Sequence, residues 1–257
     1  ELRILAEVSQ DRRFLEIFHT GGDLHIITSQ QVFGYSDTEL ETYLKLKKTD
    51  NPDVNLLDLF TQEEVEIYKM VSDYRSKTKT INFGIAYGLS AFSLADRFKI
   101  PLEEAEGILN DYFTTYNGIK RWLDSNGRET IATRYARTIL GRKKYFTLPD
   151  PSDEKMFRRS KGAVRRMGNN HVIQGTNADI TKEALIRLQE AYDNIPGAKL
   201  LFTVHDEIVS ECPRELAPEV SEIKAKVMKE AFHRFVKTVP VGKNDEVSVT
   251  TSSHWSK

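Results

Sequence analysis

Cysteine is nearly absent from this sequence, since Cys212 is the only one among 257 residues. A single thiol cannot form a disulfide within the chain or supply a cysteine-rich zinc site, and its rarity is typical of a reducing compartment. No stretch approaches the roughly 18 apolar residues that a membrane-spanning helix needs. Charged residues interrupt the apolar pattern of the first ten residues, which argues against a signal peptide. These absences favour a cytoplasmic protein that does not enter a membrane.

The sequence also lacks a strong net charge, internal repeats and low-complexity linkers. Its formal net charge is −1, with 39% hydrophobic and 29% charged residues. This composition is ordinary for a globular protein. A chain of 257 residues is long enough to bury a core, either in one large domain or in two subdomains.

The near-zero net charge hides one strongly basic segment. Between Arg134 and Arg166 there are eleven lysines and arginines against three acidic residues, a local balance of +8, so the rest of the chain sums to −9. Such a concentration of one sign attracts polyanions. We therefore expect this segment to contact nucleic acid.

The stretch from Arg75 to Gly88 reads R-S-K-T-K-T-I-N-F-G-I-A-Y-G. Four of its side chains recur at every fourth position: Arg75, Lys79, Phe83 and Tyr87. On an α-helix each step of four drifts by only about 40°, so these side chains form one slowly turning stripe. Cations followed by aromatics suit a site that holds a polyphosphate and stacks a base, and Gly84 and Gly88 would let a ring or backbone approach. The alternative is an ordinary amphipathic helix with a solvated cationic edge.

A second candidate site is the triplet His205-Asp206-Glu207, which two β-prone apolar runs flank. This pattern predicts a hairpin with adjacent carboxylates near its tip, where a divalent cation would relieve their repulsion. For the triplet alone, an exposed acidic turn is the alternative. Together with a cationic stripe, the triplet favours metal-assisted chemistry on a nucleoside triphosphate.

Several motifs resemble one known family. The stripe R-x3-K-x3-F-x3-Y-G resembles the fingers helix of family A DNA polymerases, the DNA polymerase I type. The opening E-L-R-I-L-A, followed by G-D-L-H and F-G, is similar to the segment that joins palm to fingers there, and Q-G-T-N-A-D resembles a further motif. The resemblance covers nearly all of this chain, but only the fingers and most of the palm of a polymerase. Divergence in one segment favours a phage-like source.

The resemblance implies an α+β right-hand polymerase fold, in which an antiparallel palm sheet carries Asp206 and a helical fingers subdomain interrupts the palm. It assigns residues 1–22 to the palm, 23–120 to the fingers and 121–257 to the palm again. The family's connection near residues 35–70 is shorter, so we interpret that segment as an insertion. It is either a surface embellishment or a docking site for a partner or template. The thumb and exonuclease regions lie outside this match.

Roles for the nucleotide-binding residues also follow from the resemblance. Arg75 and Lys79 would hold the triphosphate tail and neutralise the charge that builds on pyrophosphate, and His25 would reach the same phosphates. Phe83 would stack near the sugar and base, while Tyr87 would guard the adjacent template position.

Sugar selection is implied by the same match. Glu1 would pack beneath the sugar and, with Phe83, exclude a ribose 2′-OH. A phenylalanine rather than a tyrosine at this position implies discrimination against nucleotides that lack a 3′-OH.

For the metal, the resemblance implies two Mg²⁺ ions, with Asp206 as a ligand and Glu207 as a second or outer-shell carboxylate. The predicted catalytic set is Asp206, Glu207, Lys79 and Arg75. In the family, the other essential metal-binding aspartate lies a few residues before the position of Glu1. We therefore expect this polypeptide alone to be inactive or impaired, and to be completed by an N-terminal polymerase fragment or a second chain.

DNA contacts are implied at two places. Arg166, Asn170 and Gln174 would touch the minor groove near the primer terminus, where acceptors are placed alike in every base pair. His205 would contact DNA as well. Arg142 and Lys143 would bind phosphates without regard to sequence.

Taken together, the sequence predicts template-directed DNA synthesis, in which primer-template DNA and a dNTP are the partners and a primer 3′-OH is the acceptor. The competing interpretation is a non-catalytic nucleic-acid-binding subunit that keeps the polymerase shape. A pure binder has no use for a metal carboxylate facing a triphosphate clamp, which favours the enzyme.

Overall fold

The computed structural model describes residues 1–51, 53–205, 207–240 and 247–255. Clustering of contacts divides the chain into two compact units. The helical unit consists of Leu2 and residues 10–122, and the mixed unit consists of Glu1, residues 3–9 and the chain from residue 123 onward.

The described residues form ten α-helices and four β-strands. In chain order the helices are α1 (Leu2–Ser9), α2 (Arg12–Thr20), α3 (Leu24–Phe33), α4 (Asp37–Lys47), α5 (Gln62–Ala86), α6 (Ala91–Phe98), α7 (Leu102–Thr115), α8 (Asn117–Thr133), α9 (Glu154–Tyr192) and α10 (Ala217–Phe235). The strands are β1 (Tyr135–Arg137), β2 (Lys143–Tyr145), β3 (Lys199–Val204) and β4 (Glu207–Glu211). Short 3-10 turns lie at Leu56–Asp58 and Arg214–Leu216. Among the described helices, none is long and apolar enough to cross a membrane.

In the helical unit, α3, α4 and α5 pack around one core. Its buried residues are Ile26, Tyr35, Tyr43 and Val71. Helix α5 begins with a capping box, because the Glu64 N–H donates to Thr61 Oγ1 at 3.2 Å and the Thr61 N–H donates to the Glu64 carboxylate at 2.9 Å. This reciprocal pairing satisfies two otherwise unbonded donors at the helix start.

The first two helices are separated by a break that local periodicity does not reveal. Gln10 is left-handed, with φ 49°, and the buried Asp11 begins α2 by accepting from the Phe14 N–H at 3.0 Å. Its second carboxylate oxygen accepts from the Gly118 N–H at 2.7 Å. One aspartate thus serves the starts of both α2 and α8.

The mixed unit is built on the long helix α9, which packs against α10, β1 and β3. Strand β1 pairs antiparallel with β2, and β3 pairs antiparallel with β4. The main core residues are Ala184, Leu188, Tyr192, Ile195, Ala198, Ile208, Val220 and Ala231. The α+β class is confirmed, and the sheets in the described part of the chain are two-stranded hairpins.

The boundary near residue 122 lies close to the limit expected between fingers and palm. Residues 10–22, which the resemblance assigns to the palm, belong to the helical unit. The assignment of these units as palm and fingers, and of residues 35–70 as an insertion, stays a prediction.

Candidate nucleotide and nucleic-acid site

Three of the four stripe residues lie on α5: Arg75, Lys79 and Phe83. Tyr87 follows the last helical residue and is the C-cap, with φ −94° and ψ 4°. Lys79 and Tyr87 are exposed, whereas Arg75 and Phe83 are half-buried. The predicted stripe therefore forms over three positions, with the fourth residue just beyond the helix end.

The two glycines of this stretch end the helix. Gly88 is left-handed, with φ 78°, and its N–H donates to the Ile85 carbonyl at 3.1 Å. The Leu89 N–H donates to the Gly84 carbonyl at 2.8 Å, which completes a Schellman motif. A Cβ on Gly84 would lie 2.9 Å from the Leu89 side chain. The close approach at Gly84 is thus made by a side chain of the same chain, while the approach of a ligand ring or backbone to these glycines stays a prediction.

Arg75 is held by the residue that begins α3. Asp23 accepts from the His25 and Ile26 N–H groups through Oδ1, and Arg75 donates to Asp23 Oδ2 at 3.1 Å and 2.8 Å. Burial acts to raise the pKa of Asp23, but the hydrogen bonds from Arg75 and the Ile26 N–H outweigh it and hold that pKa below its ordinary value. Both side chains remain about one third exposed, at 32% for Arg75 and 34% for Asp23.

His25 lies beside this pair and next to Phe83. The Asn82 amide Nδ2 lies 3.0 Å from His25 Nδ1, and the imidazole and Phe83 ring centroids are 5.9 Å apart. Burial lowers the pKa of His25; Asp23 opposes that shift, and the charges of Arg75 and Lys79 add to it. A neutral imidazole that accepts from Asn82 carries its proton on Nε2, the nitrogen remaining for a ligand.

In the mixed unit, the amide-rich part of α9 contains a row of three side chains. Arg166, Asn170 and Gln174 are spaced four residues apart, so they share one helix face. Arg166 and Gln174 are exposed. Among the described residues, Asn170 is notable because its buried Oδ1 accepts no hydrogen bond. The row combines guanidinium and amide groups, as the sequence predicts.

The β3–β4 hairpin carries part of the predicted metal site. Val204 pairs with Glu207, and His205 adopts φ 56°, an uncommon conformation for a residue other than glycine. The exposed Glu207 accepts from Trp255 Nε1 at 3.0 Å. Asp206, the main predicted ligand, lies outside the described residues.

The donor chemistry at this hairpin suits a hard cation, because carboxylate oxygens are the ligands that Mg²⁺ prefers. Within the described ranges, however, no group of three or more His, Cys, Asp or Glu residues could hold a metal ion. Glu207 is the described carboxylate of the triplet, and the proposed centre depends on Asp206.

The basic ribbon formed by β1 and β2, with the turn between them, carries one cation that is bound within the protein and others that are exposed. Arg142 donates through Nε to Asp179 Oδ1 at 2.8 Å and through Nη2 to the Gly175 carbonyl at 2.9 Å. Lys143 is exposed, with Nζ 4.4 Å from the centroid of the Tyr135 ring. Arg137 faces Lys143 across the ribbon, and sequence reasoning missed it because only strand register brings the two together.

Glu1 precedes α1, and its carbonyl accepts from the Leu5 N–H at 2.9 Å. The structure thus collects the predicted residues in two places. Arg75, Lys79, Phe83 and His25 come together in the helical unit. The mixed unit carries the amide row, the ribbon, the β3–β4 hairpin and Glu1.

The comparison with protein families agrees with the chemistry of these sites. The model of DNA polymerase family A matches residues 55–257. This match covers most of the chain, which therefore belongs to DNA polymerase family A.

Individual relatives are DNA polymerases of type I. The thermostable DNA polymerase I of Thermus aquaticus is 29% identical over 255 residues, which is 99% of this chain and 26% of that protein. The DNA polymerase I of Deinococcus radiodurans is 31% identical over 255 residues and is covered to 22% of its length. The chain thus spans about a quarter of the length of these relatives.

A solved structure shares the fold. The chain resembles the POL domain of Pol1 from M. smegmatis, in a complex with DNA primer-template and dNTP, with a TM-score of 0.68 and 29% sequence identity. The similarity covers 90% of this chain and 35% of that one.

Proposed function

We propose that this chain forms the fingers and part of the palm of a DNA polymerase that transfers nucleotides from dNTPs to a primer 3′-OH under the direction of a template. The observation that carries the proposal is the cluster of Arg75, Lys79 and Phe83 on α5 beside His25, in a chain of family A. Cations, an N–H donor and an aromatic ring are what a nucleoside triphosphate requires.

Within this proposal, Arg75 and Lys79 bind the triphosphate tail and stabilise the charge that develops on the leaving pyrophosphate. His25 adds a neutral donor through Nε2, because its Nδ1 faces Asn82. Phe83 stacks near the sugar and base and Tyr87 guards the template position. The exposed pair of Arg75 with Asp23 holds the guanidinium in place until phosphate replaces the carboxylate.

The metal centre is proposed at the β3–β4 hairpin, where Asp206 and Glu207 would hold Mg²⁺. Two divalent ions would activate the 3′-OH and stabilise the leaving oxygen when bound. The longer relatives support the inference that polymerase residues outside this sequence supply the second metal aspartate. An N-terminal fragment or a second chain would then complete the active enzyme.

DNA contacts are proposed for the row Arg166, Asn170 and Gln174, and for His205 and Lys143. Exposed guanidinium and amide donors can sense minor-groove acceptors that every correct base pair shares. The complex formed by the M. smegmatis relative supports primer-template DNA and dNTP as the ligands here.

Glu1 is proposed to line the sugar pocket and, with Phe83, to exclude a ribose 2′-OH. The insertion at residues 35–70 and the palm and fingers boundaries belong to the same proposal. A cytoplasmic location and a phage source also remain predictions.

Replacing Asp206 by alanine tests the proposal against the binding-subunit alternative. In a polymerase that contains this chain, the D206A variant should lose metal-dependent primer extension and retain primer-template binding. Extension that survives D206A would overturn the assignment of Asp206. A wild-type sample that binds DNA and shows no extension with any divalent ion would favour the binding subunit.

A further inference from the structure

The exposed face of the ribbon presents two cations close to one aromatic ring. Arg137 on β1 and Lys143 on β2 are direct cross-strand partners. The Arg137 guanidinium carbon lies 4.8 Å and Lys143 Nζ lies 4.4 Å from the centroid of the Tyr135 ring. Tyr145 pairs with Tyr135 and contacts it edge to face, at 5.9 Å between centroids.

This arrangement is electrostatically unfavourable in isolation. Like charges directly opposite each other on a β-ribbon destabilise the pairing, and two cation–π contacts offset only part of that repulsion. Among the residues that the structure describes, no carboxylate forms an ion pair with Arg137 or Lys143. A ligand with closely spaced negative charges would satisfy both cations.

Arg142 lies in the turn between β1 and β2 and is bound differently from these two cations. Its partner Asp179 is only 3% exposed in its side chain, and Asp179 Oδ2 accepts no hydrogen bond from any described residue. Leaving a buried charge without its partner is far more costly than losing an exposed ion pair. A phosphate therefore does not draw Arg142 away from Asp179.

The contacts of Arg142 also locate the ribbon on α9. Beyond Asp179 and Gly175, its carbonyl lies 3.3 Å from His171 Nε2. The Ile139 N–H, in the same turn, donates to Thr176 Oγ1 at 3.1 Å. These bonds fasten the turn between β1 and β2 to the helix that carries Gln174.

We propose that Arg137 and Lys143, which both lie close to the Tyr135 ring, bind phosphates of the DNA backbone, and that Arg142 is a positioning residue that fastens this face to α9. The inference deepens the proposed function and depends on it. It adds Arg137 to the phosphate contacts and replaces the phosphate role that the sequence assigns to Arg142.

The salt dependence of DNA affinity tests the phosphate contacts directly. The slope of log affinity against log salt is negative, and each lost phosphate contact reduces its steepness by about 0.9. R137M and K143M should each reduce the steepness by about that amount and the double variant by about twice as much. K226M, which removes an equal charge from an exposed position on α10, is the matched control and should leave the slope unchanged. Equal slopes for wild type, R137M and K143M would overturn the proposal.

The role of Arg142 needs a variant that does not leave a buried charge. R142M/D179L removes both members of the pair and replaces them by apolar side chains, a change that is often tolerated. The slope of this variant should equal that of the wild type. A salt dependence that is less steep than the wild type's by about 0.9 would assign Arg142 to a phosphate and contradict its positioning role.

The conservative variant R142K gives a second measure that does not rely on the double variant. Lysine keeps the charge but cannot donate to Asp179 and the Gly175 carbonyl with a planar fork. If Arg142 fastens the ribbon to α9, we expect the urea midpoint of unfolding to be lower in R142K than in the wild type, and lower still in R142M. Unchanged stability together with unchanged DNA affinity in R142K would fit a simple phosphate contact instead.

The DNA-binding and unfolding measurements together distinguish a failure of this inference from a failure of the proposed function. If the wild-type chain shows no salt-dependent DNA binding, the proposed function fails, and the unfolding data still decide whether Arg142 fastens the ribbon. If the wild type binds DNA and only the R137M and K143M slopes fail to change, the inference fails alone.

Discussion

Two arginine–aspartate pairs in this chain have similar geometry and different surroundings. In the helical unit, Arg75 Nη2 lies 2.8 Å from Asp23 Oδ2, with side chains 32% and 34% exposed. In the mixed unit, Arg142 Nε lies 2.8 Å from Asp179 Oδ1, with side chains 42% and 3% exposed. Distance alone does not distinguish them.

The difference lies in the carboxylate. Water can solvate Asp23 when Arg75 moves to another anion, so the first pair can exchange at low cost. Asp179 has no such access, and Arg142 is the cation that compensates its buried carboxylate. Burial of the counter-ion therefore decides whether a cation near a proposed active site is available to a ligand.

The largest predicted effect is on stability. R142M should lower the free energy of unfolding by about 3 kcal/mol because it leaves a buried carboxylate unpaired, whereas R75M should lower it by less than about 1 kcal/mol. Urea unfolding of both variants, followed by circular dichroism, measures the contrast. Similar losses in the two variants would remove the distinction between the pairs.

Nucleotide affinity should show the reverse order. R75M removes charge-assisted hydrogen bonds to the triphosphate, each worth about 1.5–3 kcal/mol, so dNTP affinity should fall by about tenfold or more. Isothermal titration with a dNTP and Mg²⁺ measures it, and R97M, an exposed arginine on α6, is the charge-matched control. A wild-type affinity in R75M would show that Arg75 does not bind the nucleotide.

A smaller effect is expected when the carboxylate of the exchangeable pair is neutralised. D23N removes the charge that competes with phosphate for Arg75, so dNTP affinity should rise severalfold while stability falls by about 1 kcal/mol or less. The same titration and unfolding measurements apply. Weaker dNTP binding in D23N would indicate that Asp23 orients Arg75 more than it competes.

The smallest effect is a pH dependence that His25 causes. Its folded-state pKa lies below the ordinary 6.5, so the unfolded chain takes up the proton first and stability falls as pH drops below about 6.5. H25Q should reduce this loss as pH falls below about 6.5, above the range in which Asp23, with its lowered pKa, titrates. His171 also has a lowered pKa through burial but is present in both proteins. If the stability of H25Q and of the wild type changed with pH in the same way, His25 would not be the cause of this pH dependence.

Local sequence signals were sufficient for much of the fold. The fourfold spacing of Arg75, Lys79 and Phe83 predicts the helix on which they lie, and the apolar runs that flank the triplet predict the β3–β4 hairpin. The break between α1 and α2 could not be predicted, because Asp11 is fixed by Gly118, more than 100 residues away. Contacts at such separations leave no periodic signal.

The candidate site shows the same limit. Residue type and spacing predicted Arg75, Lys79 and Phe83 on one helix, which the structure confirms as a placement while their roles stay predictions. The pattern G-R-K-K led us to predict the same role for Arg142 and Lys143. Nothing in the local sequence reveals that Arg142 forms an ion pair with Asp179, a buried aspartate 37 residues later. Arg137 was missed because its proximity to Lys143 depends on strand register.

The most direct test of the central claim is Mg²⁺-dependent primer extension by this chain, alone and after addition of the proposed N-terminal polymerase fragment. The account predicts template-dependent extension on mixing, little or none from the chain alone, and none with D206A in either sample. Robust extension by the chain alone would contradict the inference that a second metal aspartate comes from outside it. Extension that D206A does not affect would contradict the proposed metal centre itself.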